Sequence, residues 1–110
     1  MSLSFQPIDE QGAWGKVLRV DAEKIPQGAS FRFRKDGDSI RVFGGDKKSL
    51  KKFLNEKKVP VQERGYLPLV AKDNEVLIVG GVEISSNLKV DENTKKTLYV
   101  ALYKKFSSNA

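Results

Sequence analysis

Residues 31–60 read FRFRKDGDSIRVFGGDKKSLKKFLNEKKVP, and within this stretch the hydrophobic period changes from two to about 3.6. Phe31-Arg32-Phe33-Arg34 alternates apolar and charged, the pattern of a half-buried strand. It predicts both Phe on the core face and both Arg on the solvent face. Lys35–Asp38 is a turn punctuated by Gly37-Asp38. Ser39–Phe43 resumes the strand pattern and Gly44-Gly45 ends it. From Asp46 to Lys58 the spacing becomes helical, with Leu50, Phe53 and Leu54 at i, i+3 and i+4 as the buried stripe. Asp46 stands as the N-cap. Lys48, Lys51, Lys52 and Asn55 fall on the opposite side. Val59-Pro60 stops the helix, because a residue before proline avoids the α region.

Outward from this unit the chain is mostly short strands. Gly12–Gly15 breaks it after Phe5–Ile8, and Lys16–Val20 reads as a strand closed by Asp21–Pro26. Leu67–Ala71, Glu75–Val79, Val82–Ser85 and Thr97–Phe106 read as further strands, with Lys72–Asn74 and Gly80-Gly81 as tight turns. Asp91–Lys96 is expected to form a single helical turn. There is no internal repeat. A length of 110 residues predicts one domain over 1–110, large enough to remove roughly two thirds of its unfolded surface from water. The expected fold class is α+β and β-rich, with one main basic helix.

Composition removes whole classes of chemistry. The chain has no cysteine and no histidine, so disulfides, thiol nucleophiles, His-based proton transfer and the usual zinc ligands are excluded. No apolar run approaches the ~20 residues of a membrane span, and the N-terminus lacks a signal-peptide core. A cytoplasmic protein without a membrane partner is expected. Charge points the other way, towards a partner. Residues 31–64 carry eleven Lys/Arg against five Asp/Glu, which accounts for the whole net charge of +6. Clustering of this kind is the footprint of an anionic partner, most often nucleic acid, although a solvated surface has the same composition.

Gly44-Gly45-Asp46-Lys47-Lys48-Ser49 is expected to follow a strand and open a helix, as phosphate-cradling loops do. Its spacing is not that of a Walker A loop, and a chain with one convincing helix cannot wrap the parallel sheet such a site needs. A turn with a helix cap is therefore the expectation, without a nucleotide site. Asp36 and Asp38 flank Gly37 as turn formers, or orient Arg34 or Arg41 by charge-assisted hydrogen bonds. No catalytic group is assigned. The basic strand and the basic helix are the constellation that carries function. Arg32, Arg34, Arg41, Lys48, Lys51, Lys52 and Arg64 are expected to form a phosphate-binding surface, Arg through its planar fork and Lys as a point charge. For Arg32 and Arg34 the competing expectation is an ion pair with an acid across the sheet. Of the aromatic residues, Trp14, Tyr99 and Tyr103 are expected in the core. Tyr66, just after Arg64, is placed to stack a base.

The order of these pieces resembles a known family. Arg32-Phe33-Arg34-x-x-Gly37-Asp38 resembles the Arg-x-Arg-x-x-Gly-Asp opening of the C-terminal domain of tRNA(Ile)-lysidine synthetases. Leu50-Lys51-Lys52-Phe53-Leu54 followed by Lys58-Val59-Pro60 is similar to that family's Lys/Leu-rich helix and Val-Pro stop. Arg64 and Leu67-Pro68-Leu69-Val70 are similar to the segment that follows. Leu18–Asp21, Ile25-Pro26, Gly81–Ser85 and Val90–Lys96 extend the resemblance over roughly residues 16–103. Ser39, Val42, Val61, Gln62 and Tyr66 depart from the family's usual residues, and the Lys-rich loop is about one residue shorter.

The resemblance implies a three-layer, β-sandwich-like domain also found in the β subunit of phenylalanyl-tRNA synthetase. It implies a domain that binds an isoleucine tRNA on its acceptor-stem side. The parent synthetase uses ATP to adenylylate the wobble cytidine, and lysine then displaces AMP. That reaction belongs to an N-terminal ATP-pyrophosphatase domain that these 110 residues do not contain. No cofactor and no activity are therefore expected of this chain alone, ATP being the parent's. Residues 1–3 are expected to be foreign to the natural chain. The alternative function is a protein-interaction module whose basic face docks an acidic sister domain.

Overall fold

The computed structural model describes residues 2–5 and 13–103. Among the described residues nine strands and two short α-helices follow one another as β1 (Ser2–Ser4), β2 (Ala13–Asp21), β3 (Ser30–Arg32), β4 (Ser39–Arg41), β5 (Lys47–Ser49), α1 (Leu50–Glu56), α2 (Val61–Arg64), β6 (Leu69–Lys72), β7 (Glu75–Val79), β8 (Glu83–Ile84) and β9 (Thr97–Tyr103). They form two sheets. The smaller has the order β1-β9-β2 and is antiparallel. The larger has the order β3-β6-β7-β4-β5, with β8 also paired to β7 and only the β4–β7 pair parallel. The fold is α+β and β-rich, as the alternating short segments predict.

The larger sheet separates two cores. Successive strand residues point to opposite faces, and β6 shows the consequence. Leu69 and Ala71 join a cluster with Ile40, Leu50, Phe53, Leu54 and Val76, whereas Val70 joins Leu18, Val20, Ile78 and Val100. Helix α1 thus covers one face, and on the other Leu18, Val20 and Val100 of the smaller sheet pack against Val70, Leu77, Ile78 and Ile84 of the larger one. Leu50, Phe53 and Leu54 are buried, as their spacing predicts. The sheets touch where Lys16 N–H donates to the Gly81 carbonyl at 2.9 Å. A Cβ on Gly15, whose φ is +69°, would stand 2.2 Å from that carbonyl oxygen, so only glycine fits.

Three expectations are corrected. Phe31 and Phe33 do not face the core; both are exposed, and Arg32 is the inward residue. Alternation says that the two faces differ, but not which one is buried. Here a buried carboxylate, Asp38, selects the arginine face. The helix does not start at Asp46. Residues 47–49 are strand β5, paired with β4 in the register Ser39↔Ser49, Ile40↔Lys48 and Arg41↔Lys47. Ser49 is the N-cap, accepting from the Lys52 N–H at 3.2 Å. Asp91–Lys96 is a hydrogen-bonded turn, not a helical one, held by Thr94 N–H to the Asp91 carbonyl and by the Thr94 hydroxyl to Asp21. Helix α2, after Pro60, lies in a segment to which the sequence pattern assigns no element. The expected strand to Phe106 is described to Tyr103; residues 104–106, and Gln6–Ile8 and Gly12 upstream, lie outside the described residues.

Candidate nucleic-acid interface

One ion pair fixes the turn that carries part of the basic surface. The Asp38 carboxylate, 1% exposed, accepts from both terminal nitrogens of Arg32 at 2.9 and 2.8 Å. It also accepts from the Lys35 backbone N–H at 2.8 Å and the Asn74 amide at 3.3 Å. Burial pushes the Asp38 carboxyl up, but these hydrogen bonds and the Arg32 charge outweigh it and hold the group below its ordinary value. The hydrogen bond to Asp38 holds the Arg32 guanidinium above its own ordinary value, against a smaller effect of burial. Arg32 also donates to the Phe33 and Asp73 carbonyls at 2.9 and 2.7 Å. Strand β3, the 35–38 turn and the 73–74 turn are tied together by this one guanidinium.

The turn so fixed forms one wall of a hollow of about 360 Å³; β5 and the first turn of α1 form the other. Its lining includes Arg34, Lys35, Asp36, Asp38, Lys47, Lys48 and Lys51. A second hollow of about 390 Å³ shares Gly37, Ser39 and Lys47 with it and adds Lys72. Among the described residues no ion pair or side-chain hydrogen bond engages Arg34, Lys35, Lys47 or Lys51. Asp38 is neutralised by Arg32, and Lys48 is paired with Glu56. Four uncommitted cations therefore face one uncommitted acid, Asp36. A concavity lined by one sign of charge focuses the field and attracts anions.

Of the seven residues singled out in the sequence, three line this hollow: Arg34, Lys48 and Lys51. Arg32 lies beside it, engaged by Asp38, so the competing expectation of an ion pair describes its surroundings. Arg41 donates to the Gly45 carbonyl at 2.9 Å and steadies the β4–β5 hairpin. Arg64 donates to the Val59 carbonyl at 2.9 Å and to Asn55 Oδ1 at 2.7 Å, which ties α2 to the end of α1. Lys52 is exposed on α1, outside the hollow's lining. Lys48 sits on β5, and its ammonium holds the Glu56 carboxyl below its ordinary value.

Two lining residues, Lys35 and Lys47, escaped the sequence reading. Lys35 extends the Phe31–Arg34 run by one residue. Lys47 belongs to the Gly44–Ser49 stretch, which is expected to open a helix and instead forms the β4–β5 hairpin. Gly44 and Gly45 take φ of +102° and +92° at that hairpin tip and do not open the helix, so the phosphate-loop geometry is not formed. Tyr66 is 70% exposed, as its expected stacking role requires. Trp14 packs against the core and Gly81, whereas Tyr99 is 40% exposed and departs from its expected burial. Among the described residues there is no group of three or more acids spaced to hold a metal ion, and no helix long and apolar enough to cross a membrane.

Known proteins resemble this chain in sequence and in fold. The family model for the TilS substrate C-terminal domain matches residues 29–100. The tRNA(Ile)-lysidine synthase of Caldanaerobacter subterraneus subsp. tengcongensis is 40% identical over 100 residues, covering 89% of this chain and 21% of that protein. The tRNA(Ile)-lysidine synthase of Clostridioides difficile is 36% identical over 80 residues, covering 73% of this chain and 17% of that protein. This chain thus spans about a fifth of the length of the curated relatives it matches. A solved structure described as "Crystal structure of TILS C-terminal domain" superposes with a TM-score of 0.62 at 23% identity, over 96% of this chain and 82% of that one.

Proposed function

Because the chain belongs to the TilS substrate C-terminal domain family, we propose that it binds tRNA and presents it to a catalytic domain elsewhere in a tRNA(Ile)-lysidine synthase. One observation supports this reading above the others: Arg34, Lys35, Lys47 and Lys51 converge on one hollow, and their side chains have no hydrogen-bond or ion-pair partner among the described residues. A duplex stem offers phosphates at regular spacing while its deep major groove hides the base edges. A turn and a hairpin that present cations from two sides suit such a backbone without reading sequence. In this reading the stem bound is the acceptor stem of an isoleucine tRNA, and Lys52, Arg41 and Arg64 flank the main contact. ATP and lysine are handled by the other domain, and this one contributes no reacting group. In this reading the protein acts in the cytoplasm.

The test is a titration of the 110-residue chain with tRNA at two salt concentrations. If about five phosphates are neutralised, fourfold more salt weakens binding roughly a hundred- to five-hundredfold. Lys47→Ala and Lys51→Ala each lower affinity and shallow the slope by about one contact. Binding that ignores salt and survives the loss of Arg34, Lys47 and Lys51 together removes this surface as the RNA site. Tight binding of an acidic protein domain in place of tRNA would establish the docking alternative.

A further inference from the structure

Phe31 and Phe33 are 60% and 56% exposed, although phenylalanine is among the residues most often buried. Their exposure is built into the fold. Asp38 draws Arg32 inward through two short hydrogen bonds, and neighbours along a strand point to opposite faces. Phe31 is thereby turned outward. Among the described residues strand β3 pairs only with β6 and forms an edge of the larger sheet. Phe5 meets the Phe31 ring edge-on, with centroids 5.5 Å apart and 70° between planes, which braces Phe31. The next two residues in the chain, Arg34 and Lys35, are uncommitted cations of the hollow.

Exposed rings at a sheet edge serve either an apolar protein surface or unpaired bases. Charge complementarity separates the two. The rings run directly into a basic wall, which attracts a polyanion more strongly than a protein surface of mixed charge. Bases inside a duplex are stacked on one another, so only a single-stranded segment can use these rings. Resting on the nucleic-acid reading above, we propose that Phe31 and Phe33 stack unpaired bases of a single-stranded RNA segment adjoining the bound duplex. Arg34 and Lys35, between the rings and the rest of the hollow, hold the phosphates where that segment joins the duplex. Stacking of this kind tolerates any base, since every base has a π-face.

Two probes test this with the 110-residue chain: a blunt RNA duplex of about twelve base pairs, and the same duplex with a single-stranded overhang of about four nucleotides. The overhang is expected to tighten binding about tenfold. Phe33→Ala abolishes that difference and leaves blunt-duplex affinity within about twofold, while Phe33→Trp restores it. An unchanged melting temperature for Phe33→Ala checks that the fold is intact. If the blunt duplex binds and the overhang adds nothing, stacking is overturned while the nucleic-acid reading stands. If neither RNA binds, that reading itself fails and takes this inference with it. If Phe33→Ala keeps the overhang advantage but abolishes a self-association seen by sedimentation, the rings are a protein contact and the proposal is overturned.

Discussion

Replacing Asp38 by alanine tests how the basic wall is held. The carboxylate is 1% exposed and accepts from Arg32, from the Lys35 N–H and from Asn74. Its loss leaves the Arg32 guanidinium, itself only 14% exposed, without a counter-charge. Breaking a buried pair from one side costs about 3–5 kcal/mol. The lower end, about 3 kcal/mol, is expected here, because Arg32 keeps its bonds to the Phe33 and Asp73 carbonyls. Urea unfolding measures this as a shift in midpoint at constant slope. Adding Arg32→Met to Asp38→Ala removes the orphaned charge, so the double variant loses less than the sum of the singles, by at least about 1.5 kcal/mol. The pH dependence carries the same information. The folded Asp38 carboxyl lies below its ordinary value. Its contribution is therefore complete above the ordinary carboxylate value and is lost as pH falls through the lower, folded one. Asp38→Ala flattens that part of the acid profile. Single losses under about 1 kcal/mol that add within about 0.5 kcal/mol would refute the reasoning.

Two further outcomes are expected from packing alone. Leu54→Ala costs about 2–5 kcal/mol, since the side chain is 1% exposed in the cluster under α1. Lys52→Ala on the open side of the same helix changes stability by less than about 0.5 kcal/mol; equal small effects in thermal melts would mean that the helix face is misassigned. Gly15→Ala forces a Cβ to within 2.2 Å of the Gly81 carbonyl oxygen at a φ of +69°. A loss of at least about 2 kcal/mol is expected from the backbone shift this demands; a neutral melting temperature would show that the sheets can separate there at no cost.

Much of the hollow's chemistry was legible before its shape. The run of positive charge between residues 31 and 64 marked the region, and Arg34, Lys48 and Lys51 were named from it. Lys35 and Lys47 were not, because their use depends on a turn and a hairpin meeting in space. Arg41 and Arg64 were grouped with them by charge, yet each is occupied by a backbone carbonyl from a nearby turn. Composition counts cations; it does not show which have been given partners.

Local pattern by itself determined the β-rich class, the Leu50–Phe53–Leu54 stripe and the strands around β6, β7 and β9, because periodicity acts within a few residues; the helix expected to run to Lys58 ends at Glu56, with Lys58 at a φ of +57°. Only the tertiary structure decided three things. The Ser39↔Ser49 ladder held residues 47–49 extended and moved the helix start to Leu50. The Gly15–Gly81 approach, 66 positions apart in the chain, brought the two sheets together. The buried carboxylate of Asp38 chose which side of Phe31–Arg34 faces inward, since an unpaired charge is far costlier to bury than an exposed phenylalanine is to leave in water.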